Sequence, residues 1–330
     1  MPAFPHITSG LKFLPRCWLL GLLGTAALFL PGCDSREKDN ELVEQAPVDT
    51  RLSIFAVNYP LAYFAERIGR DLVRVSFPVP VDADPASWQP SAKVIIEFQQ
   101  ADLILLNGAG YARWVESASL PNNRLVDTSR GFRDRLIRLE DVTHSHGPAG
   151  GHSHGSMASS TWLDPQLALE QARAIRDALV TYRPEKQAEI DSRFSLLERD
   201  LLALDEQLTT TFAAIDEQGI LYSHPVYQYL ARRFTPAARS LSWEPDVVPG
   251  DGDLRQLRDM LAEEAAYVLV WEREPYAVTV ELLEQEGLRS VAFDLVANRP
   301  ASGDYLARMQ WNLENLARAA PPPVQEMPAN

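Results

Sequence analysis

The chain has 330 residues, 46% of them hydrophobic and 23% charged, enough to bury a sizeable core and too long for one ordinary domain of about 150 residues. Its 31 Lys and Arg stand against 45 Asp and Glu, a formal charge of -14, opposite in sign to a phosphate-neutralising surface, so DNA and RNA are excluded as partners. The 17 Gly and 24 Pro fall in no regular period, which excludes a collagen-like chain.

Lys12 and Arg16 precede the apolar run at residues 17–30 (CWLLGLLGTAALFL), roughly 14 residues where a spanning helix needs about 20. That pattern predicts a signal peptide over residues 1–32. The run ends in LPGC, which resembles the lipobox of bacterial lipoproteins, and Cys33 is then the expected lipidation site. Asp34 resembles the residue that retains Gram-negative lipoproteins in the inner membrane. The expectation is a periplasmic protein, lipid-anchored there. One of the two Cys is discarded with the signal and the other acylated, which excludes a disulfide and a Cys-ligated metal. Residues 33–50 are polar, acidic and aperiodic and read as a tether.

From residue 51 short β-branched runs alternate with amphipathic stretches: SIFAVNY (53–59), VRVSFPV (73–79), DLILLNG (102–108) and RLVDTS (124–129). The alternation returns in GILYSH (219–224), RSLSW (239–243), AYVLVWE (266–272) and SVAFDL (290–295). Such runs predict buried parallel strands, and the expected fold class is α/β, with two lobes, each a four-stranded, mostly parallel sheet flanked by helices. Each half opens with a strand running into a Pro that starts a helix, at Tyr59-Pro60 and His224-Pro225, a faint internal duplication. Asp164-Pro165 caps another helix. After Pro184, Ile190, Phe194, Leu197, Leu201, Leu204, Leu208 and Phe212 recur by threes and fours without Gly or Pro over residues 185–215. This predicts a helix of about 45 Å, a rigid strut between the lobes. The expected division is a first lobe at 51–183, the bridging helix at 184–213, a second lobe at 214–320 and a tail at 321–330.

Open α/β sheets bind ligands beyond the carboxyl ends of their strands, where the second half carries His224, Glu272 and Asp294. One imidazole and one or two carboxylates suit a divalent cation such as Zn2+ or Mn2+. A His before a helix and acids at strand ends also serve as caps and packing groups. Four further histidines, His144, His146, His152 and His154, share the Gly-rich stretch THSHGPAGGHSHG. Paired imidazoles on a loop can close on a borderline cation at modest affinity, since the loop must be ordered to do so.

The stretches at 60–92, 101–116, TWLDPQLALEQARAIRDAL (161–179), LYSHPVYQYLARRF (221–234) and SVAFDL (290–295) resemble the periplasmic metal-binding proteins of ABC importers, the zinc and manganese cluster. The resemblance covers about residues 51–318. It implies two α/β lobes joined by a long helix, a metal in the cleft between them, and delivery to a membrane permease by a monomer. Zinc members often carry a His-rich acidic loop where this chain has residues 144–154. Two of the family's four ligands match, His224 and Asp294; the other two positions hold Ala86 and Ser160.

Three completions of the site stay open. A loop His such as His152 or His154 can replace the missing imidazoles. Glu272 or Asp84 can supply oxygen and shift preference toward Mn2+. Or the cleft holds a small organic solute against Tyr59, Trp88 and Trp162. Two other functions compete: a metal buffer or chaperone without a permease, and a hydrolase using Ser223 or Ser160 with His224 and Asp294. The hydrolase lacks a G-x-S-x-G elbow, and the side chains of adjacent Ser223 and His224 should diverge after a strand, so no enzyme is expected.

Overall fold

Among the described residues, 49–139, 157–216 and 219–319 of a computed structural model, two sheets of the same topology are strung along one helix. The signal peptide, Cys33, the His-rich loop and the tail lie outside these residues. The first sheet takes β1 (Leu52–Ala56), β2 (Val73–Ser76), β3 (Leu103–Leu106) and β4 (Leu125–Asp127), with α1 (Tyr59–Gly69), α2 (Ala92–Gln100) and α3 (Trp114–Ser117) between them. Then come α4 (Pro165–Tyr182) and α5 (Gln187–Asp216). The second sheet takes β5 (Ile220–Tyr222), β6 (Arg239–Ser240), β7 (Val268–Trp271) and β8 (Arg289–Ala292), with α6 (Gln228–Phe234), α7 (Asp251–Glu263), α8 (Ala277–Gln285) and α9 (Tyr305–Ala319).

Both sheets are parallel throughout, ordered β2-β1-β3-β4 and β6-β5-β7-β8. The matching orders agree with the internal duplication. Each order reverses beside its first strand, which places a crevice at the carboxyl ends of β1 and β3 in one lobe and of β5 and β7 in the other. VLVW of β7 is buried along its whole length, as a parallel strand covered on both faces must be.

Local chemistry sets the helix starts. The Asn58 side chain accepts from the Leu61 amide at 3.2 Å ahead of Pro60, and Asp164 accepts from the Gln166 amide at 3.0 Å ahead of Pro165. The expected start at His224-Pro225 is different. α6 begins at Gln228, because the Val226 amide turns back to the His224 carbonyl at 2.9 Å and the Val226 carbonyl accepts from the Ser160 hydroxyl.

α5 runs 30 residues, about 45 Å. Residues 184–186 form a 3-10 turn before it, and its end lies three residues beyond the expected 213. Leu197, Leu201, Leu208 and Phe212 are fully buried in a core continuous with residues of both sheets. Ion pairs fix the helix to each lobe, Arg67–Asp200 at 2.6 Å on α1 and Arg233–Asp205 at 2.6 Å on α6.

Removing a buried methylene cluster from the strut loosens both lobes together. Leu201→Ala should cost about 2–5 kcal/mol, seen in urea as one earlier transition by both tryptophan fluorescence and circular dichroism. Two separate transitions, with only one displaced, would contradict a shared core.

Candidate metal centre

In the first lobe the crevice is filled by neutral amides. The Asn107 side-chain oxygen accepts from Asn58 at 3.1 Å, Gln171 at 3.0 Å and Thr161 at 3.2 Å, and its amide nitrogen donates to the Ser159 carbonyl at 2.8 Å. All four side chains are buried. These hydrogen bonds tie the four side chains together, with the Gln171 side-chain oxygen left without a hydrogen-bond partner among the described residues, and the network presents no ionisable ligand.

The second crevice is ionisable. His224 follows β5 and is 5% exposed. The Leu241 amide donates to the Tyr222 carbonyl at 2.8 Å and the Trp243 amide to the Ser223 carbonyl at 2.7 Å. This pairing carries Glu244 alongside His224, with Oε1 3.9 Å from Nδ1, too far for a hydrogen bond. Glu272 leaves the end of neighbouring β7, half-buried. Burial first, then the Glu244 charge, push its carboxyl up to about 7 against the relief from Arg273; Asp84 and Asp294 push the same way. Three acids drawn from both lobes, Glu244, Asp84 and Asp294, thus act on the Glu272 carboxyl, with Glu244 also beside His224.

Asp294 is held tightly there. One carboxylate oxygen accepts from the Val296 amide at 2.7 Å and the other from Arg308 Nε at 2.7 Å. Asn312 brackets its backbone with two hydrogen bonds of 2.8 Å. The Arg308 guanidinium lies over the Trp311 ring, 3.7 Å from its centroid.

Asp84, exposed, closes a turn: its side chain accepts from the Ala86 amide and the Ser87 hydroxyl, each at 3.0 Å. The Asn298 amide pins this segment through the Pro80 and Ala83 carbonyls, both at 2.7 Å. Ser160 is buried, its hydroxyl spent on the Val226 carbonyl. Among the described residues no three His, Cys, Asp or Glu stand close enough to hold an ion, so a multidentate site needs rim side chains to move.

The aromatic lining expected for a solute cleft is corrected. Tyr59 is 3% exposed and packs on Tyr63 and Phe77, while its amide donates to the Ala297 carbonyl at 3.0 Å. Trp162 is 1% exposed; its indole donates to the Leu295 carbonyl at 2.7 Å and its ring meets Tyr111 edge-on. Trp88, half-buried, sets its edge against Trp114, which packs on Phe98. Tyr59 and Trp162 sew the lobes together rather than wall a cavity. His144, His146, His152 and His154 lie outside the described residues. The residues flanking that segment meet in an antiparallel bridge, Arg138 to Met157. Both flanks rest on α6, whose Tyr229 hydroxyl accepts from the Ile137 amide at 3.2 Å and donates to the Ala158 carbonyl at 3.0 Å.

Sequence reasoning missed Glu244 and Arg308. Glu244 directly follows the strand-like RSLSW, the same signal that singled out Glu272. Arg308 carried none, since α9 reaches Asp294 only through folding.

Residues 54–319 match the family model described as zinc-uptake complex component A, periplasmic. The zinc-binding lipoprotein AdcA of Streptococcus pneumoniae serotype 4 is 23% identical over 320 residues, 93% of this chain and 61% of that protein. The chain therefore spans less than two thirds of that relative's length. The high-affinity zinc uptake system protein ZnuA of Bacillus subtilis is 24% identical over 244 residues, 72% of this chain and 75% of that one. In fold the chain is similar to the metal-dependent lipoprotein YcdH of Bacillus subtilis, with a TM-score of 0.70 at 22% identity over 82% of this chain and 100% of that one.

The elevated Glu272 carboxyl sets a pH dependence. Below about pH 4.5 it is neutral folded or unfolded; as pH rises through about 7 the folded state ionises a group the unfolded chain has already ionised freely, and stability is lost. Glu272→Gln should leave stability unchanged near pH 4.5 and raise it at pH 8 by about 2 kcal/mol, allowing for water at the rim. Urea midpoints of both proteins across that range check this; equal midpoints at pH 8 would contradict it.

Proposed function

The chain belongs to the periplasmic zinc-uptake component A family, and from that premise we propose that it is a lipid-anchored solute-binding protein that captures a divalent cation, zinc foremost, between its lobes for an ABC permease. The observation that carries this reading is the meeting of His224 with strand-end carboxylates at the one crevice that keeps ionisable groups. The imidazole supplies a nitrogen donor and the acids cancel the charge of the cargo. The acidic surface that excluded nucleic acids suits cation capture.

Cross-lobe bonds limit the motion. Trp162 reaches the Leu295 carbonyl, Tyr305 the Trp162 carbonyl at 2.8 Å, and Tyr59 the Ala297 carbonyl, so capture proceeds by movement of rim side chains around a stiff seam. Glu272 gives up its proton as the cation arrives, since ligand oxygen must be deprotonated. Ser160 donates to the Val226 carbonyl, and the proposed capture and release involve no chemical step. His144, His146, His152 and His154 serve as an accessory capture loop with weaker affinity. The protein acts as a monomer on the periplasmic side of the inner membrane, held by Cys33.

Calorimetric titration of the apo-protein with Zn2+ and Mn2+ tests the reading. One tight event is expected, weakened at least tenfold by His224→Ala, while deletion of residues 144–154 removes weaker heats and leaves the tight event within threefold. No heat with either cation from protein shown to be folded would overturn it.

A further inference from the structure

The family resemblance points to Asp294 as the second-lobe carboxylate ligand, and the side chains around it point elsewhere. Both of its oxygens are engaged, one by the Val296 amide and one by Arg308 Nε, each at 2.7 Å. The guanidinium is gripped on its other side by the Trp311 ring at 3.7 Å. Asp294 and Arg308 together carry no net charge, so a dication approaching Asp294 gains nothing from the pair as a whole and meets the repulsion of a fixed cation. A cation at this aspartate must first break a charge-assisted hydrogen bond and a stacking contact.

Glu244 is differently placed. Its side chain is 40% exposed, with Oε1 3.9 Å from His224 Nδ1. Two ligands each about 2.0–2.1 Å from a tetrahedral zinc stand about 3.3–3.4 Å apart, so a side-chain shift of roughly half an ångström brings this pair to ligand spacing. Glu272 and His224 each sit two residues past the register pair Val270–Tyr222 of β7 and β5, which brings both strand ends to the same rim. Two carboxylates crowded at one rim repel until a cation enters between them.

We propose that the ion-binding set of this chain is His224, Glu244 and Glu272, with Asp294 withdrawn from it as the counter-charge of Arg308. This rests on the reading of the protein as a divalent-cation binder and names which side chains do the holding. One nitrogen and two carboxylates neutralise a dication in full and leave room for water. With fewer nitrogens than an imidazole-rich site, the set discriminates less between Zn2+ and Mn2+.

The test is calorimetric titration with Zn2+ and with Mn2+ of three proteins: the wild type, Glu244→Gln, and the double variant Asp294→Asn with Arg308→Gln. The double variant exchanges an ion pair for a neutral hydrogen-bonding pair, so neither charge is stranded. Circular dichroism confirms folding of each. Glutamine at 244 keeps an oxygen that can accept from the imidazole, so a merely orienting role for Glu244 would survive the change and a ligand role would not. The expected result is at least tenfold weaker binding of both cations by Glu244→Gln and less than threefold change in the double variant. Unchanged affinity in Glu244→Gln, or a tenfold loss in the double variant, overturns the assignment while leaving the protein a metal binder. A wild type that binds neither cation overturns the broader reading and this one with it.

Discussion

The apolar stripe of α5 is the constraint on which the rest of the structure depends. Seven large side chains on one 30-residue helix cannot be covered by either small sheet alone. Burying them requires both lobes to close on the same helix, and at about 25 cal/mol per Å2 of apolar surface this term outweighs any single polar contact at the seam. Once both lobes share the strut, their carboxyl edges are held facing a common crevice. The cross-lobe hydrogen bonds of Trp162, Tyr305 and Tyr59 then follow as ways to satisfy polar atoms along a junction already dictated by packing.

That rigidity shapes the electrostatics of the rim. Strand ends cannot drift apart to relieve repulsion, so the Glu272 carboxyl, raised first by burial, is pushed further by Glu244, Asp84 and Asp294. Arg308 relieves part of the excess at Asp294. What remains unrelieved is concentrated beside His224, the single histidine among the described residues. A rim that is destabilised by its own charge and furnished with an imidazole is primed for a cation.

Much of this was legible beforehand in particular segments. The strands followed from short β-branched apolar runs recurring in two sets of four, and the strut from a long 3.6-residue period without Gly or Pro. The helix starts at Asn58 and Asp164 were legible because a cap and a Pro act within four residues. The same local rule failed at His224-Pro225, where a distant hydroxyl, that of Ser160, takes a carbonyl the first helical turn would have used. Tyr59 and Trp162 read as cleft lining because aromatic residues near strand ends suit both a solute and a core; only the position of the opposite lobe decides between them. Arg308 was invisible for the same reason, since its partner lies 14 residues away in sequence and meets it only when α9 packs against the second sheet.

The two crevices, alike in topology, have been put to opposite uses. Asn58, Asn107, Thr161 and Gln171 fill the first with neutral, mutually hydrogen-bonded groups, and Ala86 and Ser160, at the positions where the resemblance expected imidazoles, add no ionisable donor. On the proposed assignment the second lobe supplies the nitrogen and most of the charge, and the first a stiff wall bearing Asp84, its rim segment pinned through the Asn298 amide to three backbone carbonyls. Coordination of that proposed kind favours release, because ligands on a single lobe can let go of an ion without first prising two lobes apart, and a solute-binding protein delivering its cargo would gain more from that than from the tightest grip.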